Sequence, residues 1–235
     1  SILATSYRLL GYLQRQQGLI DLAITNYKKA LPLLRAIDLR IELAIAPDEL
    51  GFALTQRGQW TDARALVNDA KEMRRDLGMR GAVALSLNTL AQIELYEGRF
   101  EISTEYSERA LALGRALVEP RVTGLALIAM AEAQRRLSKT DRIPNLEDKI
   151  NLLRAARDQS EEALRIFKKH EEKTRQVEAL IEIGCACRDW AKLRLQSSSS
   201  RDDIRRLVDE SQKALREAAS EAGTTIRYRQ VDAWV

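Results

Sequence analysis

The sequence predicts an all-α fold built as a stack of antiparallel helical hairpins, and three observations lead there. Only 4 Pro and 11 Gly are spread over 235 residues dominated by Ala, Leu, Arg and Glu, a usage that favours long helices. The β-branched and aromatic clusters that strands need are scarce. Small residues also recur at fixed steps, the mark of a repeated helical unit rather than of one closed core.

The steps are read directly from the chain. In the first copy Leu10-Gly11 is followed by Gly18, then by Ala23, Tyr27 and Ala30 at steps of five, four and three. The second keeps them with Leu50-Gly51, Gly58, Ala63, Val67 and Ala70, and the third with Leu90-Ala91, Gly98, Ser103, Ser107 and Ala110. A fourth opens at Met130-Ala131 and resumes at Ala156, Ser160 and Ala163. A fifth opens at Ile183-Gly184 and resumes at Leu207, Ser211 and Ala214.

This pattern resembles the tetratricopeptide repeat, with Leu-Gly in a first helix, Gly at the turn, and Ala, an aromatic and Ala in a second. The opening aromatic of that family is present only as Tyr7 and its terminal Pro is missing. Gly11, Gly51, Ala91 and Ala131 recur every 40 residues, against the usual 34. The resemblance implies a right-handed α–α superhelix, a solenoid of about five hairpins plus a truncated helix. The repeats are placed at about 4–37, 44–77, 84–117, 124–170 and 177–221, with 225–235 as part of a sixth.

Each element has a physical reason. Small residues at Gly11, Gly51, Ala91, Ala131 and Gly184 let two helices approach closely, and Ala23 and Ala63 serve the facing helix. Gly18, Gly58 and Gly98 supply the positive φ that ends a first helix. Ile20, Trp60 and Phe100 match one another in bulk alone, so Trp60 is read as packing and not as a ligand-stacking ring. In the fourth copy about thirteen residues enter before Ala156, with Pro144 and Asn145 set to start a lengthened second helix. In the fifth, Ser197 to Ser200 read as an inserted polar loop, with Ser200 as N-cap and Asp202 and Asp203 at the positive helix end. Ser1 opens the sequence in place of Met, and the spacing from Ala214 projects a small position at Val235. A fragment of a longer array is therefore expected, with Thr225 to Val235 beginning a further first helix.

Chemistry is hard to assemble from these residues. The 38 basic and 34 acidic side chains give a formal charge of +4 and interleave along the chain, which disfavours a nucleic-acid partner. His170 is the sole histidine, so no two-His metal site or His-based triad is available, and Cys185-x-Cys187 lacks structural-zinc spacing. Those cysteines, two positions apart on one helix, suit a reducing cytoplasmic compartment better than a disulfide. No phosphate loop, H-E-x-x-H or G-x-S-x-G motif occurs, and the most apolar stretch, Val122 to Ala131, is too short to span a bilayer. We expect no catalytic residues, no cofactor and no metal.

The resemblance implies that a partner binds a concave face lined by first helices. Candidate positions are Arg8, Tyr12 and Arg15 in the first copy, Asp48, Phe52 and Gln56 in the second, and Asn88, Gln92 and Tyr96 in the third. Glu132, Arg135 and Arg136 follow in the fourth and Arg188 in the fifth. Phe52 and Tyr96 among polar residues suit a peptide or protein ligand, or another domain of the parent chain. Arg8, Tyr12, Asp48 and Asn88 do not reproduce the Lys-Asn carboxylate clamp of co-chaperones. Long, degenerate repeats with inserted helices also resemble the sensor arms of signal-transduction ATPases and peptide-pheromone receptors. A passive scaffold is the competing expectation.

Overall fold

In the computed structural model, residues 2–37, 40–197 and 200–224 are described, and their regular structure is entirely α-helical. Ten helices follow one another: α1 (Ile2–Gln16), α2 (Ile20–Ala36), α3 (Arg40–Gln56), α4 (Trp60–Asp76), α5 (Arg80–Tyr96), α6 (Phe100–Ala116), α7 (Pro120–Leu137), α8 (Leu146–Lys169), α9 (Lys173–Gln196) and α10 (Arg201–Thr224). From α1 to α5 and from α7 to α10, each helix packs on the next in the manner of a tetratricopeptide-like solenoid. The chain divides into two compact units, Ser1–Leu113 and Gly114–Val235.

In the first unit the hairpins nest on missing side chains. A Cβ added at Gly51 would stand 2.4 Å from Val67 Cγ2 and 3.1 Å from the Ala63 carbonyl oxygen, so α3 and α4 touch almost backbone to backbone. At Gly11 the same atom would meet the Tyr27 ring at 3.0 Å and the Ala23 carbonyl at 3.2 Å. Ala91 is fully buried, and the buried Ser103 hydroxyl donates to its carbonyl at 2.7 Å, satisfying the polar group that replaces alanine. Ala23, Ala30, Ala63, Ala70 and Ala110 are all buried, and Trp60 and Ile20 pack half-buried against the same core.

The first helices end in a shared turn. At Gly58, φ is 74°, the Gly58 N–H donates to the Thr55 carbonyl, and the Gln59 N–H reaches back to Leu54. That is a Schellman closure, repeated at Gly18 and Gly98 and, between α4 and α5, at Gly78. The same turn is made without glycine at Val118 (φ 53°) and Glu171 (φ 57°), where the sequence gives no sign of it.

The second unit is built from longer helices. Asn145 caps α8, its side chain accepting from the Glu147 N–H at 2.9 Å, and Ile150 and Leu153 continue the buried face of that helix. Ala131, Ala156 and Ala186 pack together as the small-residue seam, and Ala163 is fully buried. Ser200 caps α10 through its hydroxyl, which accepts from the Asp202 N–H at 3.3 Å.

The fifth copy has its break where the sequence places it, with Ser197 and Ser200 outside both helices, but most of its extra residues lengthen α9, which continues to Gln196, and α10, which begins at Arg201. The longer first helix moves the partner of Gly184 one turn along: an added Cβ would meet Leu215 at 2.6 Å and the Ser211 carbonyl at 3.3 Å. Ser211 and Leu215 therefore stand where Ala63 and Val67 stand against Gly51, and Leu207 and Ala214, although buried, lie one turn out of that register. The helix expected over Thr225 to Val235 lies outside the described residues.

Candidate functional site

Arg8, Tyr12, Arg15, Asp48, Phe52, Gln56, Asn88, Gln92 and Tyr96 all fall on α1, α3 and α5 of the first unit, and accessibility divides them. One set is committed to holding helices together. Arg8 donates from Nε to Glu42 at 2.5 Å and from Nη1 to Glu49 at 3.0 Å, linking α1 to α3. Asp48 faces Arg74 at 3.3 Å and accepts from the Thr89 hydroxyl at 3.4 Å, while Arg74 donates to the Ser86 hydroxyl at 2.6 Å and the Ala82 carbonyl at 3.0 Å. Burial pushes the Asp48 carboxyl above its ordinary value, and Arg74 opposes that rise. Asn88 is 6 % exposed.

The other set is open to solvent. Tyr12 and Gln56 are exposed, Tyr96 is half exposed, and Arg15, Phe52 and Gln92 are half-buried. The Arg15 guanidinium lies 5.4 Å from the Tyr12 ring centroid and 4.8 Å from that of Phe52, joining α1 to α3 by cation–π contact. Tyr12, Phe52 and Gln92 share one repeat position, and Gln56 and Tyr96 share another one turn further on. Successive first helices thus present aromatic faces, amide groups and one cation at their C-terminal halves. Ring faces take apolar side chains, and amides both donate to and accept from a peptide backbone.

In the second unit, Arg135 holds Glu182 across α7 and α9 with bonds of 2.5 and 2.9 Å. Burial drives the Glu182 carboxyl upward while Arg135 draws it back. Asp189 gathers Lys139 at 2.6 Å, Arg188 at 3.2 Å and Arg135 at 3.5 Å, and Glu132 pairs with Arg136 at 2.6 Å along α7. These candidates form a cross-braced ionic joint. Their partners, Glu49 and Arg74 in the first unit and Glu182 and Asp189 here, were not picked out by sequence reasoning. One signal was available: Arg8 to Glu49 and Asp48 to Thr89 are each 41 residues apart, one residue beyond the repeat period.

The two cysteines are free and buried in α9. Burial raises both thiols, Cys187 to about 12, and Cys187 lies 3.8 Å from Glu210. His170 is exposed at the end of α8. Among the described residues no group of three or more His, Cys, Asp or Glu side chains converges as a metal site, and no helix is long and apolar enough to cross a membrane.

Residues 42–116 match the family model of the tetratricopeptide repeat. Similar solved structures include a Rap protein complexed with Competence and Sporulation Factor, at 17% identity and a TM-score of 0.56, covering 96% of this chain and 71% of that one. A kinesin light chain of Podosopora anserina with nearly identical tetratricopeptide-like repeats aligns at 16% identity and a TM-score of 0.58, covering 95% and 97% of the two chains. Its Q17M variant gives 16%, 0.60, 94% and 99%. At these identities the likeness is one of fold. No curated protein sequence matches the chain.

Proposed function

We propose that this chain of tetratricopeptide repeats is a non-catalytic interaction module that takes a peptide segment on the open face of α1, α3 and α5. One observation carries the reading: Tyr12, Phe52 and Tyr96 stay accessible beside Gln56 and Gln92, while Arg8 and Asp48 on the same helices are tied into interhelical pairs. The rings and amide of Tyr12, Gln56 and Tyr96 are thereby exposed to solvent where the ion-paired Arg8 and Asp48 are not. The rings provide the apolar anchors that dominate peptide affinity, and Arg15, pinned between two of them, offers a fixed charge to an acidic group. A protein of similar fold, the Rap protein, was solved in complex with Competence and Sporulation Factor, so this fold carries a bound factor in that protein.

The test is a selection of peptides from a random display library on the intact chain. The selected peptide should lose about tenfold or more in affinity, or about 1.4 kcal/mol, in the Tyr12→Ala, Phe52→Ala, Tyr96→Ala triple variant. Unchanged affinity in a variant with unchanged helicity would remove the face from consideration.

A finer reading makes the array the ligand-sensing arm of a larger signalling ATPase, with capture shifting a switch elsewhere in the parent. Its support is the degenerate 40-residue period and the lengthened helices α8, α9 and α10. A G-x-x-x-x-G-K-[ST] motif in the parent reading frame would agree with it, and the motif's absence would leave a passive scaffold joining protein partners. Reduced, buried Cys185 and Cys187 are consistent with a cytoplasmic setting.

A further inference from the structure

A second surface belongs to the second unit, in the groove between the C-terminal half of α9 and the middle of α10. It encloses about 520 Å³ and is floored by Ala191, Leu195, Ile204, Val208 and Leu215. Leu195 is 71% exposed and Val208 38%, high values for large apolar side chains that share one groove. Its polar rim consists of Arg188, Lys192, Gln212, Arg216 and Ser211, with no carboxylate among the lining residues. Lys192 and Arg216 are exposed and make no ion pair among the described residues.

The preceding joint shows what shape fills such a groove. There α9 itself lies on α8, its Trp190 and Ala191 packed against Ile150 and Leu153. The Gln176 side chain donates to the Phe167 carbonyl at the end of α8 and closes the joint. A helix with an apolar stripe is thus the natural occupant of the next groove along, where no described residue takes its place.

Charge selects among helices. Residues 225–235 carry Arg227 and Arg229 against a single Asp232, and α1, the apolar helix a second copy could offer, contains Arg8 and Arg15 and no acidic residue. The first brings a net positive charge to Lys192 and Arg216, and the second brings no carboxylate to pair with them. We propose that this groove docks an acidic amphipathic helix of a partner protein, its apolar stripe on Leu195, Ile204 and Val208 and its carboxylates on Lys192 and Arg216. This site is separate from the peptide face of the first unit and adds a second point of attachment.

Fluorescence anisotropy on the intact chain tests it with three labelled peptides of about 18 residues. One carries Leu at helical spacing with Glu on the flanks, one has the same stripe with Lys flanks, and one has the acidic composition with the stripe scrambled. The acidic amphipathic peptide should bind saturably and at least about tenfold more tightly than either control. Leu195→Asp with Val208→Asp, both at exposed positions, should abolish binding, and Lys192→Glu with Arg216→Glu should transfer the preference to the Lys-flanked peptide. Equal binding of acidic and basic peptides, or binding indifferent to these variants, would overturn the proposal. Binding that appears only when the chain is ended at Thr224 would assign the groove to residues 225–235. Self-association abolished by the two Asp substitutions would assign it to a second copy, and either result refutes the partner.

Discussion

At the scale of single residues, the fold depends on where a side chain is absent or unwelcome. Gly51 is required by contact, since even a methyl group would press on Val67 and the Ala63 carbonyl. Gly58 is required by conformation, with a positive φ and nothing within 4 Å of an added Cβ. Val118 is the informative exception, a β-branched residue held at φ 53° in the same type of turn, with its side chain 83% exposed. A β-branched residue is strained there, and its exposure means that no packing compensates. Val118→Gly should therefore stabilise the protein by roughly 0.5–1 kcal/mol, the relief of strain exceeding the added entropy of the unfolded glycine. In thermal denaturation followed by circular dichroism the midpoint should rise by about 2–4 °C. A lowered midpoint would mean that Val118 is not strained. The three turns after the first helices of copies one to three were legible because glycine marks them, whereas Val118 and Glu171 carry no such mark.

At the scale of helices and their joints, charge does what the sequence pattern concealed. Arg135 and Glu182 lie forty-seven residues apart in the chain, on different helices, and each was visible only as one more polar residue on a charged surface. Exposure of Arg135 falls to 9%, so the candidate ligand contact is instead a strut between α7 and α9. Arg135→Met would leave Glu182 buried without its counter-charge, costing about 3–5 kcal/mol near neutral pH. The sign of its pH dependence follows from burial, which raises the folded-state pKa of Glu182. A carboxyl whose folded pKa lies above its unfolded value is no burden below the unfolded value of 4.5, destabilises progressively as pH rises from there to the folded value, and costs a constant amount above it. The deficit of Arg135→Met measured by urea unfolding should thus be smaller at pH 5 than at pH 8. A deficit that does not change with pH would show that Glu182 reaches water once the arginine is gone. The hairpins of the first unit were legible because a constant twelve residues separate Gly11 from Ala23, Gly51 from Ala63 and Ala91 from Ser103. The fifth was misread by one turn because Ala214, Ala218 and Ala222 all recur at helical spacing, and sequence alone does not say which of them meets the first helix.

At the scale of the whole molecule, two kinds of surface are distributed over the two units, an aromatic and amide face on α1, α3 and α5 and an apolar groove with a basic rim on α9 and α10. The repeat placed Tyr12, Phe52 and Tyr96 correctly on first helices, yet it could not tell them from Arg8 and Asp48, whose partners lie in neighbouring repeats. Interleaved charges and a formal net charge of only +4 favour little long-range steering, so the proposed recognition would rest on local contacts. Photo-crosslinking measures those contacts most directly. Benzophenone side chains placed singly at Gln56 and Gln92, and for comparison at the exposed Lys28 and Glu105 of α2 and α6, would be irradiated with the display-selected peptide. Crosslinks from positions 56 and 92, with none from 28 and 105, are the predicted result. Crosslinks from the second helices, with positions 56 and 92 silent, would contradict it.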